Sequence, residues 1–375
     1  MLRFHIFKMP SQKNPNPILY PPTIIGHITQ NIADLFAGKV EEKDSIKVMY
    51  GCQLNGKPHL GTTISLMCAY ALAEQFQERF QKPASLVFGA LENGPGEKRE
   101  VDGILYQRML SDTYRDGRSL ANINLETFVD LLTNLSDLSE IPHGVEFYNG
   151  LQAKPIARKT LLELVAREDE FIPILNPSDD RLRIRFKCPE SDCGYEEKHS
   201  RTLTILEHEP YKRLVLQSRC FKHGDYQIVL EEENDDFVDV NTMVRNVMKE
   251  AVIADESQRE GYFPLIVKGG DWIHAAVLVS NALELLGYSF RERPDRIATP
   301  MIEDWSGAKF SKSVYIKAGT SERLPQEFVS LDNFVDKFGE QGFPQLWTPV
   351  SSWVINPKKF YRNYSLDYLK AVFDK

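Results

Sequence analysis

The stretch that most limits what this chain can fold into runs from Ile46 to Gly89. An apolar run, Ile46 to Tyr50, leads into a turn containing Asn55-Gly56-Lys57-Pro58-His59-Leu60-Gly61-Thr62. Ile64, Met67, Ala71, Leu72, Phe76 and Phe80 then recur at helical spacing, which predicts a long helix with Thr62 or Thr63 as its N-cap. Ala84 to Gly89 reads as a second strand. Strand, glycine turn, helix and strand make a βαβ unit, so the expected fold class is α/β with a parallel, Rossmann-like sheet. A strand that ends in glycines and opens a helix also makes a phosphate site. Its free N–H groups and the positive end of the helix dipole face the same ligand.

In that turn His59 can donate a hydrogen bond to a phosphate oxygen, and Gly61 lets a nucleotide approach the backbone. A second reading exists. Gly51-Cys52-Gln53-Leu54-Asn55-Gly56-Lys57 matches the first seven positions of a P-loop. Its eighth position needs a Ser or Thr hydroxyl for Mg²⁺, and Pro58 stands there. A third reading is a plain glycine turn before a core helix.

The second informative segment is Gly307-Ala308-Lys309-Phe310-Ser311-Lys312-Ser313. Two ammonium groups in one glycine-led loop can neutralise charge on a leaving pyrophosphate. Upstream lies an apolar strand, Pro264 to Val267, followed by Lys268-Gly269-Gly270-Asp271-Trp272-Ile273-His274. A carboxylate such as Asp271 at a strand end can accept hydrogen bonds from ribose hydroxyls. His274 is expected one helical turn beyond it. A buried helix, Ala275 to Leu286, and a short strand, Arg296 to Ala298, complete this half.

The middle of the chain has a different texture. Residues 91–118 read as a long loop, and helices are expected over Leu125 to Leu138 and Pro155 to Asp169. From Pro173 to Val229 short alternating strands, Arg181 to Phe186 and Leu214 to Gln217 among them, surround three of the five cysteines. An acidic run, Glu231 to Asp236, reads as a solvated connector to a helix from Val240 to Val252. Cys188-x4-Cys193 is followed after 26 residues by Cys220-x2-His223. Two such ligand pairs on turns can assemble a tetrahedral Cys3His site for a structural Zn²⁺, with His199 and His208 as competing fourth ligands.

Composition narrows the partners. The 375 residues are 42% hydrophobic and 26% charged, which is ordinary for a globular protein. A formal charge of −8 and a pI near 5.6 argue against a protein that coats nucleic acid. The N-terminus lacks the apolar core of a secretory signal, and no apolar run is long enough for a membrane span. Few, clustered cysteines fit a reducing, cytoplasmic setting. The length suggests about two to three domains. The expected segments are 1–172 and 236–320 for the halves of the sheet domain, 173–235 for the zinc-binding β insertion, and 321–375 for a short helical extension.

The two signatures, in this order, resemble the "HIGH" and "KMSKS" sequences of class I aminoacyl-tRNA synthetases. Thr62 stands where the family usually ends its first signature in histidine, and Phe310 where it commonly has methionine. The layout is most similar to archaeal-type class I lysyl-tRNA synthetases, and covers roughly residues 22–320, beginning with an amphipathic helix at 22–38. The resemblance implies a HUP-type nucleotide-binding fold, ATP with Mg²⁺, formation of an aminoacyl-adenylate, and transfer to an acceptor end.

It implies His59, Lys309 and Lys312 as catalytic residues. Asn55, Gly56, His59, Gly61, Thr62, Gly270, Asp271, His274 and Ser311 would bind ATP. Tyr50, Gly51, Gln53, Glu92 and Asn93 would bind the amino acid, with lysine as the family's implication. Sixty-two residues follow Ser313, fewer than the family's anticodon-binding part. Three functions are therefore expected: a truncated ligase with a non-standard acceptor, such as a small molecule, a minimal enzyme reading a tRNA acceptor stem, or a silent tRNA-binding protein. Trp347, Trp353, Phe360, Tyr361 and Tyr364, near Lys358, Lys359 and Arg362, suit either stacking on RNA or a docked helix.

Overall fold

The computed structural model describes residues 29–179, 181–233, 236–304, 306–310, 324–339 and 341–374. Its principal elements in chain order begin with β1 (Ser45–Gln53), α1 (Leu60–Phe80), β2 (Ala84–Leu91), β3 (Pro95–Val101) and β4 (Ile104–Met109). Then come α2 (Leu120–Ser139), β5 (His143–Phe147), α3 (Pro155–Ala166), β6 (Thr204–Glu209), β7 (Arg213–Cys220) and β8 (Gly224–Glu231). The chain continues through α4 (Thr242–Glu260), β9 (Tyr262–Gly269), α5 (Ile273–Leu285), β10 (Asp295–Thr299), α6 (Leu331–Phe338), α7 (Gly342–Ile355) and α8 (Leu366–Phe373).

The central sheet has five strands in the order β10-β9-β1-β2-β5, all parallel. The fold is α/β and Rossmann-like, as the βαβ pattern requires. From β1 the chain builds outward through β2 and β5, then returns to place β9 on the other side of β1. The order therefore reverses between β1 and β9. In open parallel sheets ligands bind in the crevice at the carboxyl ends of such strands. Gln53 and Gly269 end those two strands here.

α1 departs from its expected one-sided pattern. Ile64, Leu66, Met67, Tyr70, Leu72 and Phe76 are all buried, and they point in every direction around the helix. A helix that is apolar all round must be covered on more than one face. The sheet covers one face. The second cover is α7, whose Leu346, Val350, Trp353 and Val354 belong to the same core. The N-cap is also shifted from the expected threonines: His59 holds that place, with Nδ1 accepting from Thr62 N at 3.4 Å.

Residues 91–118 are not a loop. β3 and β4 form an antiparallel hairpin, and Tyr106 and Gln107 of β4 pair with Glu197 and Glu196. A hairpin with charged, exposed residues along β3 lacks the apolar alternation that marks a strand in sequence. The expected strand Arg181 to Phe186 shrinks to Ile184–Arg185, paired with Asp239–Val240. β6, β7 and β8 form the antiparallel sheet of the insertion. In the acidic run, Glu231 ends β8 and accepts from Arg213 Nε at 2.8 Å, and Asn234 and Asp235 lie outside the described residues.

Part of the amphipathic helix expected at 22–38 lies outside the described residues. The remainder is a turn of 3-10 helix, Ile32–Phe36, running into α-helix at Ala37–Val40. α5 is not buried as expected: Ile273 and Val277 are more than half exposed. Among the described residues no helix is long and apolar enough to cross a membrane.

Candidate functional site

A cavity of about 320 Å³ opens at the β1–β9 switch point. β1 contributes Tyr50, Gly51 and Gln53 to its wall, and the following turn contributes Asn55, Gly56, His59, Gly61 and Thr62. From the far side come Lys268, Gly269, Asp271 and Trp272, and from the second signature Lys309 and Phe310. Residues from both signatures thus meet at one crevice.

The first wall is built by the start of α1. His59 leaves the chain extended before the helix, and its Nε2 lies 3.3 Å from Thr62 Oγ1. The ring thereby sits over the first turn, where the backbone N–H groups of α1 have no helical acceptors. Ser65 Oγ and Thr299 Oγ1, 3.0 Å apart, join α1 to β10.

The opposite wall is a tight corner. A Cβ on Gly270 would lie 3.1 Å from both Met301 Cγ and Thr299 O, so the turn after β9 has no room for a side chain. That turn presents Asp271. Lys309 Nζ donates to Asp271 Oδ2 at 2.6 Å, closing a bridge between the two halves of the site. Both side chains remain a third or more exposed, so the pair can exchange partners when a ligand enters. Lys309 is presented by a short return in which Phe310 N donates to Ile302 O and Ala308 N to Asp304 Oδ1. Phe310 itself is buried. The apolar residue at that position therefore anchors the loop to the core. Ser311 and Lys312 lie outside the described residues.

Other expected site residues do not join the wall. Glu92 is buried and accepts from the backbone N–H groups of Tyr148 and Asn149 at 2.9 and 2.7 Å. It caps a helix start. Asn93 is buried too, and its Nδ2 donates to Asp239 Oδ1 at 2.7 Å. Gly270 and His274 are set back from the lining, and His274 is exposed on the first turn of α5.

Sequence reading missed the contribution of α4. Arg245, Asn246 and Lys249 lie on one face of this helix, and the first two line the cavity beside Lys268. Their signal was the i, i+4 spacing of Arg245 and Lys249. Lys268, the one charge ending the apolar run of β9, was the matching hint. Arg245 also contacts Asp239 Oδ1 at 3.5 Å, within a buried group that includes Arg185 and Glu196. Burial, with Asp239 next, raises Glu196 to about 7.

The C-terminal elements brace the first signature and the segment that leads into the second. Leu331 N donates to Pro58 O at 3.0 Å, and Lys57 pairs with Asp332. Tyr364 N donates to Met301 O at 3.0 Å. Trp353 is buried and stacks on Tyr364 with ring centroids 3.8 Å apart. Trp353, Phe360 and Tyr364 are therefore docked in the core rather than displayed for stacking on RNA.

The second polar cluster lies in the insertion. Cys188 Sγ is 3.4 Å from His223 Nδ1, Cys193 Sγ is 3.5 Å from Cys220 Sγ, and all four ligand atoms lie within 4.8 Å of one another. A tetrahedral zinc with bonds of ~2.3 Å to sulfur holds its donors ~3.8 Å apart, so this donor set fits the ion in number, kind and spacing. His223 Nε2 faces Asp192 Oδ1 at 3.5 Å, the kind of outer partner that orients a ligating imidazole. His199 is beside Arg183 instead, and His208 lies on the exposed strand β6.

No protein-family model and no curated protein matches the chain. Solved structures match it at low similarity. A tyrosyl-tRNA synthetase complexed with L-tyrosine from Archaeoglobus fulgidus is 12% identical, with 92% of each chain covered and a TM-score of 0.39. A glutamate-tRNA synthetase from Elizabethkingia anophelis is 13% identical over 73% of this chain and 54% of that one, with a TM-score of 0.32. A Campylobacter jejuni protein carrying the name arginyl-tRNA synthetase is 11% identical over 86% of this chain and 67% of that one, at a TM-score of 0.35. The chain spans about half the length of the glutamate-tRNA synthetase.

Proposed function

We propose that the chain binds ATP with Mg²⁺ in the β1–β9 crevice and activates an amino acid as its adenylate. The observation that carries this reading is the convergence on one cavity of His59 at the start of α1, Asp271 at the end of β9, and Lys309 bridging to Asp271. Asp271 is suited to accept from ribose hydroxyls. His59, Thr62 and the free N–H groups of α1 are suited to the phosphates. The similarity of the two signatures to those of class I aminoacyl-tRNA synthetases supports the same assignment.

In the reaction a carboxylate oxygen attacks the α-phosphorus in line. The new bond is between that oxygen and phosphorus, and the bond to the pyrophosphate oxygen breaks. A carboxylate is already deprotonated, so the step needs positioning and charge stabilisation rather than a general base. Lys309 leaves Asp271 and neutralises charge on departing pyrophosphate. Lys312 is proposed for the same role from the sequence, and Ser311 for binding ATP. The adenylate then passes its acyl group to a nucleophilic acceptor, the bond from acyl carbon to acceptor forming as the acyl–phosphate bond breaks and AMP leaves, with a non-standard acceptor as the first reading and a tRNA end as the second. Cys188, Cys193, Cys220 and His223 would hold Zn²⁺, which supplies a crosslink for folding.

ATP–pyrophosphate exchange over a panel of amino acids, with and without bulk tRNA, tests this. Exchange with one amino acid and no tRNA is expected. Absence of exchange throughout the panel in both conditions would contradict the assignment.

A further inference from the structure

Behind the crevice lies a second, inner chamber of about 60 Å³. Tyr50, Gly51, Leu91, Arg245, Asn246 and Lys268 line both spaces, so the chamber is a continuation of the crevice. Building on the adenylating role, we infer that the activated amino acid carries an acidic side chain, whose carboxylate seats in this chamber between Lys249 and Lys268.

The chamber exists because two glycines stand side by side. Gly51 of β1 is in register with Gly89 of β2. Lys249 Nζ lies 3.0 Å from where a Cβ on Gly51 would be, so the ammonium occupies the space that a side chain there would fill. The polar groups that converge on it from α4 and β9 are donors. Lys268 Nζ donates to Asn246 Oδ1 at 3.4 Å, which turns the amide so that Asn246 Nδ2 is the free end. That nitrogen is buried and has no hydrogen-bond partner among the described residues. Lys249 and Lys268 have no ion-pair partner within 4.0 Å among them either.

The balance of charge points the same way. Arg245 is offset by Asp239. Glu146 lines the chamber but is exposed to solvent, and it is the carboxylate whose field favours the charged form of Lys249. Against it stand Lys268, Arg245 and Arg296, of which Arg296 is itself paired with the buried Glu250. Burial and then Lys268 push the Lys249 ammonium down to about 7. Burial and then Arg245 push Lys268 down to about 8. A buried donor with no acceptor is costly, and so are two ammonium groups facing each other. A carboxylate between them satisfies the donors and restores both charges. A lysine side chain would add a third ammonium.

At about 60 Å³ the chamber is too small for a triphosphate. Met49, Val87, Leu151 and Ile253 also line it, and they suit the methylenes of an aspartate or glutamate.

The test is exchange on the full chain with aspartate, glutamate, phosphoserine, glutamine and lysine. It compares wild type, Lys249→Met, Lys268→Met and Lys249→Glu, with calorimetric titration of each amino acid alongside. Aspartate or glutamate should support exchange. Lys249→Met should raise KM for that acid by about tenfold or more while kcat changes far less. Lys268→Met should do the same, which separates a lost contact from a misfolded helix. Lys249→Glu should move the preference towards lysine. A preference for phosphoserine would overturn the carboxylate and leave a phosphate as the anion.

Exchange confined to glutamine or lysine would overturn the inference and leave adenylation standing. If no amino acid supports exchange, adenylation fails and titration decides the chamber separately. Aspartate or glutamate binding that is lost in Lys249→Met upholds it, and no binding to the wild type overturns it.

Discussion

The insertion and the crevice both gather polar side chains from distant parts of the sequence, yet they leave them in opposite conditions. In the insertion, three thiols and an imidazole face one another at 3.4 to 3.8 Å, backed by Asp192. The cluster offers all four donors that one tetrahedral ion would take and would leave no position for a substrate. In the crevice and its inner chamber, Asn246 Nδ2 has no hydrogen-bond partner, Lys249 and Lys268 have no ion-pair partner among the described residues, and the ion pair of Lys309 with Asp271 is exposed enough to open. The contrast separates a group built to hold the fold from one built to hold a ligand. Polar convergence alone does not distinguish them, whereas the satisfaction of the donors does.

The comparison breaks first at the metal. Cys188→Ser should reduce bound zinc from about one equivalent to none and lower thermal stability more than any substitution in the crevice does. Metal analysis and a melting curve on one preparation check it. A metal-free wild type with an unchanged melting curve would remove the closed cluster from the account.

The next effect concerns the layer over α1. Trp353→Ala empties a buried, stacked site and should cost about 3–5 kcal/mol in denaturant unfolding. A change within the error of the measurement would mean that the C-terminal elements merely rest on the sheet domain.

On the crevice side, Lys309→Ala should slow adenylate formation by about tenfold or more. Its melting temperature should hold, because an exposed ion pair contributes about 1 kcal/mol or less. Equal losses of rate and stability would make Lys309 a structural residue.

The smallest effect is a slope with pH. Lys249 and Lys268 bind an anion only while protonated, and their values of about 7 and about 8 set the window. The KM for an acidic substrate should rise as pH climbs through that window and flatten below it. A pocket for a cationic side chain would show the opposite slope.

The parts legible in the sequence were those with strong local signals. The βαβ unit at 46–89 announced itself through periodicity and glycine placement, and the Cys188–His223 spacing is the arrangement that the structure assembles. What stayed hidden depended on distant packing. The uniform burial of α1 follows from α7, more than 260 positions later in the chain. β3 and β4 carry charged, exposed residues and acquire strand character through pairing with each other and with Glu196 and Glu197. Glu92 reads as a loop carboxylate until Tyr148 and Asn149 bring it a helix start. Lys249 reads as an ordinary helix-surface lysine until Gly51 gives it room to point inward.

The most direct test of the central claim is calorimetric titration of ATP with Mg²⁺ into the wild-type chain, His59→Ala and Lys309→Ala. About one site per chain is expected in the crevice, weakened by either substitution. No binding to the wild type, or binding that neither substitution changes, would contradict it.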